Sequence, residues 1–297
     1  MRFLLTDLYY KGENMSKIII SGFSDEICPE FKEQLRCVKA WNVDHIEVRG
    51  VDGKNISAYT PEEAVEIKKT LDEYGVKISS IGSPIGKIGI EDDFAPHFES
   101  FKNVCELCKV LDTKYIRMFS FYIPQDKDPA SYRDEVLKRL KAFIDYAKEQ
   151  DIVLLHENEK GIYGDNAVRC LDLMKELYCD NFKAVFDFAN FIQCEQETMS
   201  AYEMLKDYIA YVHIKDAVGP GVVPAGMGDG KVKEILTLLK EKGYEGFLSL
   251  EPHLSDFAGF NALENGEEAA DKIFSDGHFA WQVALNALKG ILYDLKW

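Results

Sequence analysis

FLSLEPH, residues 247–253, reads as an extended chain with two unlike faces: Leu248 and Leu250 on one, Ser249, Glu251 and His253 on the other. Three earlier runs repeat the pattern. In KAVFDF (183–188) Asp187 opposes Phe186 and Phe188, in YVHIKDA (211–217) Tyr211, His213 and Lys215 oppose Val212 and Ile214, and VLLHENE (153–159) runs from apolar residues to Glu157. The apolar face of each strand suits packing against helices, and the polar face suits an inward-looking mouth at the strand's C-terminal end. The successive separations of Glu157, Asp187, His213 and Glu251 are 30, 26 and 38 residues, each near one βα unit of about 30 residues.

Four more strand-like runs precede these: IIISGFSD (18–25), HIEVRG (45–50), KISSIGS (77–83) and YIRMFSF (115–121). Helical periodicity separates the runs, most clearly over 61–74, 95–111, 129–150 and 231–242, with a last helix over 277–293. Pro61 and Pro129 follow the capping residues Thr60 and Asp128, and Gly75 and Gly243 stand where helices end. Eight strands alternating with helices predict parallel pairing with right-handed crossovers. The expectation is therefore a single-domain α/β protein, a (β/α)₈ TIM barrel. An open doubly wound sheet would need a glycine-rich turn after the first strand, where SGFSDEICPE (21–30) carries acids instead.

Two segments stand outside this rhythm. Residues 254–275 form a long acidic excursion containing Glu264, Glu267, Glu268 and Asp271, read either as a lid or subunit contact in a homo-oligomer, or as a solvated loop with a short surface helix. Residues 1–15 precede the first strand. One codon choice for Lys11–Gly12–Glu13–Asn14 places a purine-rich ribosome-binding sequence before Met15. The expectation is a non-native leader over 1–15 and a barrel over 16–297, the alternative being a real N-terminal arm.

Acidic residues number 51 against 35 basic, a formal net charge of −16. Such a surface repels phosphate backbones, which favours a small-molecule enzyme over a nucleic-acid enzyme. No run of 18 apolar residues is present to span a membrane. The first residues lack the apolar core of a signal peptide, so cytoplasmic is the default expectation. Cys105 and Cys108 form a CxxC inside a helical pattern with no second CxxC to complete a zinc site, and read as a buried structural pair.

Strand ends that bring Glu157, Asp187, His213 and Glu251 to one barrel rim would crowd three carboxylates, at a cost a divalent cation removes. The oxygen-rich set with one imidazole favours Mn²⁺ or Mg²⁺, with Co²⁺ or Zn²⁺ also compatible. His253 shares a face with Glu251, and Glu47, Arg49, Arg117 and Lys215 have mouth-facing parity, so each is a candidate substrate contact; Lys215 and Asp216, which flank His213, and Asn158, which flanks Glu157, are the groups expected to tune those ligands. For Glu47, Arg49 and Arg117 an internal ion pair is the competing role. His156 has the opposite parity to Glu157 and reads as packed behind the strand.

The motifs LLHENEKGIYGD (154–165), VFDFANF (185–191), YVHIKDA (211–217), MGDG (227–230) and GFLSLEPHL (246–254) resemble the xylose-isomerase-like sugar isomerase/epimerase superfamily, over nearly the whole chain from Lys17. The superfamily includes ketose 3-epimerases, hydroxypyruvate isomerase, inosose-processing enzymes and metal-dependent abasic-site endonucleases. The resemblance implies Glu157, Asp187, His213 and Glu251 as ligands to one divalent metal ion. It also implies Asn190, at a position that is often His in the epimerases, as a substrate contact. The implied partner is a small carbohydrate, with no nucleic acid and no membrane.

Isomerisation through an enediolate needs a base, an acid and charge stabilisation on oxygen, and Glu157 and Glu251 are the expected proton-transfer pair. A lyase or dehydratase acting on a keto-sugar, inosose or 3-keto-glycoside would use the same parts. An abasic-site endonuclease would need more histidine ligands than six histidines readily supply, and a basic groove.

Overall fold

The computed structural model describes residues 17–257 and 272–297. The expected leader and the acidic stretch over 258–271 lie outside the described residues.

Eight parallel strands form the barrel: β1 (Ile18–Gly22), β2 (His45–Val48), β3 (Lys77–Gly82), β4 (Tyr115–Met118), β5 (Val153–Glu157), β6 (Phe182–Asp187), β7 (Ile209–Ile214) and β8 (Gly246–Leu250). They are hydrogen-bonded in chain order from β2 round to β8, and β8 pairs with β1. A parallel bridge between Phe23 and Glu47 links the remaining edges. The architecture is the (β/α)₈ TIM barrel that the alternating pattern predicts.

Helices α1 (Phe31–Ala40), α2 (Pro61–Tyr74), α3 (Phe94–Leu111), α4 (Arg133–Glu149), α5 (Ala167–Leu177), α6 (Phe188–Gln193), α7 (Thr198–Leu205), α8 (Val232–Glu241) and α9 (Gly277–Leu295) follow the strands. α2 begins on a capping box: Thr60 Oγ1 accepts from the Glu63 N–H while the Glu63 carboxylate accepts from the Thr60 N–H. It ends on Gly75 at φ 63°, a left-handed conformation that favours glycine. Asp128 caps a 3₁₀ turn over Pro129–Tyr132 that leads into α4, so this helix starts later than its periodicity suggests.

Alternating side chains explain the two-layered packing. Ile46, Ile116, Leu154, Phe186, Val212, Leu248 and Leu250 join one large core between barrel and helices. The inward set starts at the bottom with Leu155, Val185 and Tyr211, packed by Tyr115, Val153 and Phe247. Above it lies a polar layer: Ser79 Oγ is 2.6 Å from Ser21 Oγ and 2.9 Å from Tyr211 Oη. α9 seals the first strand. Buried Trp281 donates from Nε1 to Phe23 O and stacks on Trp41 at 5.3 Å. Cys105 and Cys108 are both buried in α3 with free thiols. No helix among the described residues is long and apolar enough to cross a membrane.

The expected strands run too long at their C-terminal ends. Residues 24–26 turn into a 3₁₀ helix, and 216–218 leave the barrel to pair antiparallel with 221–223. α6 starts immediately after β6 and is too short to leave a periodic signature.

One stability prediction arises from α3. His97 is half-buried and its Nε2 accepts the Gly86 N–H at 2.8 Å. Burial, helped by the nearby Arg139, pushes its pKa down to about 4. The unfolded chain then binds more protons than the folded one between pH 6.5 and 4, so this contribution is intact above 6.5 and is lost as pH falls. Urea unfolding of wild type and His97→Gln should show wild type losing more stability across that window. Parallel pH profiles would contradict it.

Candidate metal centre

Glu157 and Asp187 are the last residues of β5 and β6, His213 is the penultimate residue of β7, and Glu251 directly follows β8. All four are buried. Their parity turns them inward, and the barrel brings them together: one donor atom from each lies within 4.8 Å of the others. His213 Nδ1 is 3.1 Å from Glu157 Oε1, 3.4 Å from Glu251 Oε2 and 3.8 Å from Asp187 Oδ2.

Each side chain is held by groups that leave a donor facing this point. Asp187 caps α6, with Oδ1 accepting the Asn190 N–H at 2.8 Å, while Oδ2 is buried and accepts no hydrogen bond. Asn190 Nδ2 donates to Glu157 Oε1 at 3.1 Å and to Asn158 O. Asn158 in turn exchanges hydrogen bonds with the backbone of Asp187, tying β5 to β6. Glu157 Oε2 lies 3.3 Å from Arg117 Nε without a hydrogen bond. Lys215 Nζ stands 2.8 Å from Glu251 Oε2 and 3.2 Å from Asp187 Oδ2.

Beneath the imidazole, Glu47 Oε2 lies 3.2 Å from His213 Nε2 and accepts from Ser249 Oγ at 2.7 Å. In the neutral ring a carboxylate at Nε2 holds the proton there and frees the Nδ1 lone pair for a cation. Burial disfavours charge on His213, but the Glu157 and Glu47 carboxylates outweigh it and raise its pKa well above the usual range. Burial also pushes Asp187 up to about 8, with Lys215 opposing and Glu251 and Glu157 adding to the rise.

A divalent cation fits this set on two observations. Buried Asp187 Oδ2 lacks a hydrogen bond, a cost of about 1–3 kcal/mol that coordination removes. Oxygen ligands about 2.0–2.1 Å from Mg²⁺ stand up to about 4.2 Å apart, near the spacing seen. Three carboxylates and one imidazole without thiolate suit Mg²⁺ or Mn²⁺.

Glu47 was expected on the sugar. It instead supports His213 from below and does not line the mouth. The layer a side chain occupies depends on the stagger between strands, which parity within one strand does not carry. Glu47→Gln should lower Mn²⁺ affinity about 10–100-fold, read by the signal of free Mn²⁺ in an electron paramagnetic resonance titration. Unchanged affinity would contradict the support role.

The other expected contacts, Arg117, Asn190, Lys215 and His253, do line the cavity above Glu157 and Glu251. Arg49 lies outside that lining, in an ion-pair network with Asp25 at 2.8 Å and Glu26 at 3.1 Å, and 3.6 Å from Glu251 Oε1. Phe23 is fully buried against both arginines and stacks edge-on to His213. His156 is packed behind the strand as its parity implies, and burial pushes its pKa down to about 3. Asp216, expected to tune His213, gathers the N–H groups of Gly226, Gly228 and Gly230 instead. A Cβ at 228 would come within 2.4 Å of Asp216 Oδ1, which explains the glycine in MGDG.

Sequence reading passed over Glu26, Lys87 and Lys160. Glu26 accepts the backbone N–H of His253 at 2.6 Å and holds that residue at φ 47°. Its only signal was the acidic run after β1. Lys87 and Lys160 line the same cavity from loops, where no periodicity marks a direction.

A family model described as xylose isomerase-like TIM barrel matches residues 35–275. No curated protein sequence matches the chain. Among solved structures, D-allulose 3-epimerase from Methylomonas sp. superposes with a TM-score of 0.73 at 16% identity, covering 93% of this chain and 99% of the other. The probable 3-DHS dehydratase AsbF from Bacillus anthracis gives 0.67 at 18% identity, covering 90% and 99%. A xylose isomerase-like TIM barrel protein from Mycobacterium smegmatis in complex with magnesium gives 0.65 at 18%, covering 92% and 97%.

Proposed function

Since the chain belongs to the xylose isomerase-like TIM barrel family, we propose that it is a divalent-metal-dependent isomerase or epimerase of a keto-sugar or related polyol. The observation that carries the reading is the meeting of Glu157, Asp187, His213 and Glu251 at one buried point below an open mouth. These four residues hold one Mg²⁺ or Mn²⁺ ion. Bound there, the ion supplies Lewis acidity that stabilises negative charge developing on a sugar oxygen.

The chain's own groups supply the rest. Glu157 and Glu251 exchange the proton on carbon, each with one oxygen turned to the centre and the other beside an arginine, Arg117 and Arg49 respectively. An arginine beside the second oxygen fixes the carboxylate's rotation and favours its ionised form. Asn190 orients Glu157, and Lys215 and His253 hold substrate oxygens at the rim. Phe23, packed against Arg49 and Arg117 and edge-on to His213, keeps water from beneath the centre. The substrate is a small carbohydrate, in keeping with a D-allulose complex of the Methylomonas epimerase.

The test is incubation of Mg²⁺-loaded protein with a panel of keto-sugars in deuterated water. Uptake of carbon-bound deuterium with the molecular formula retained is the expected result. Loss of water or an aglycone would replace this reading with a lyase, and no exchange from any keto-sugar would contradict both.

A further inference from the structure

We propose that Glu33, Cys37 and His278 form a second metal site, one for Zn²⁺, that ties the first turn of α9 to α1. Glu33 and Cys37 stand four residues apart on one face of α1, and His278 is the second residue of α9. One donor atom from each lies within 4.8 Å of the others. Cys37 Sγ is 3.4 Å and His278 Nε2 is 3.5 Å from Glu33 Oε1. Zn–S bonds of about 2.3 Å and Zn–N and Zn–O bonds of about 2.0–2.2 Å, set at tetrahedral angles, put sulfur about 3.6 Å and nitrogen about 3.4 Å from the oxygen. Both measured separations match that tetrahedron, whose fourth position falls to water.

The donors differ in kind from those of the barrel centre. Three carboxylates and an imidazole suit a hard ion there, whereas a thiolate with an imidazole and one carboxylate suits Zn²⁺. Cys37 is buried, and burial together with Glu33 pushes its thiol up to about 11. Without an ion it stays protonated and inert; as the sulfur–zinc bond forms, its proton passes to solvent. Asp276 Oδ1 stands 3.6 Å from His278 Nδ1, the ring nitrogen away from Glu33. A carboxylate there favours the tautomer that presents Nε2 to a metal.

Arg36 is the competitor for this place. Its guanidinium spans both Glu33 oxygens, with Nε 2.6 Å from Oε2 and Nη2 against Oε1. The Arg36 side chain is 63% exposed, and an exposed pair of this kind is weak and screened by salt. A dication held by a thiolate therefore displaces it from Oε1. The ion would brace a region close to the mouth. A Cβ at Gly277 would lie 2.4 Å from Glu26 O, so α9 starts directly against the turn whose Glu26 carboxylate holds the backbone of His253.

Titration of the reduced protein with Co²⁺, followed by absorption, tests this site separately from the barrel centre, whose four ligands include no thiolate and so give no sulfur-to-cobalt charge transfer. The expected result is a sulfur-to-cobalt band that saturates and that Zn²⁺ abolishes. Cys37→Ser should remove the band. His278→Gln should weaken the binding it reports by more than about 10-fold. Arg36→Gln, which takes away the competitor, should tighten it by about 2–5-fold. The His278 and Arg36 side chains are exposed, so these two variants keep the test decisive if Cys37→Ser does not fold. No band with excess Co²⁺, a band that survives Cys37→Ser, or an affinity unmoved in both His278→Gln and Arg36→Gln would overturn the proposal.

Discussion

Glu251→Gln is expected to lower deuterium exchange on a keto-sugar by about 10²–10⁴-fold, the usual contribution of a positioned acid or base. The amide keeps the size and one ligating oxygen but accepts no proton at neutral pH. It also presents an NH₂ to neighbours that now face a carboxylate: Lys215 Nζ at 2.8 Å and Arg49 Nη1 at 3.6 Å. The variant should therefore retain metal, with weakened affinity, and lose proton transfer. Rates measured at saturating Mg²⁺ separate the two effects. Exchange within a factor of about ten of wild type under those conditions would remove Glu251 from the chemistry.

His213→Ala is expected to have the largest effect on metal binding, a fall in affinity beyond the 10–100-fold assigned to Glu47→Gln. It deletes a ligand outright, and it leaves Glu47 buried without its imidazole partner. A buried, unpaired carboxylate costs several kcal/mol, so the variant should also unfold at lower temperature. Asp187→Asn is the control for that second effect, because an Asn side chain can still accept the Asn190 N–H and cap α6. Its fold should survive while metal affinity falls. Equal affinity in wild type, His213→Ala and Asp187→Asn would place any bound ion elsewhere.

The four convergent residues were legible because two local properties fix them. Alternation along a strand sets which way Asp187 and His213 point, and the length of a βα unit sets how far apart their strands begin. Neither property depends on the rest of the molecule. Glu47 obeyed the same alternation, yet stands one layer lower, since height along the barrel follows from strand stagger. The pairing of Arg49 with Asp25 and Glu26 required a 3₁₀ turn at 24–26 that the apolar run into β1 concealed. Asp216 was read by its neighbour in sequence, His213, while its partners lie 10 to 14 residues on, in the glycine loop. Lys87 and Lys160 come from loops, whose course is set by what they pack on rather than by their own pattern.

The most direct test of the account is a crystal of the Mn²⁺-loaded protein, with anomalous differences recorded at the manganese edge. A single peak about 2.0–2.4 Å from Glu157, Asp187, His213 Nδ1 and Glu251 is the predicted result. A peak on other residues, or none in protein shown to carry manganese in solution, would contradict it.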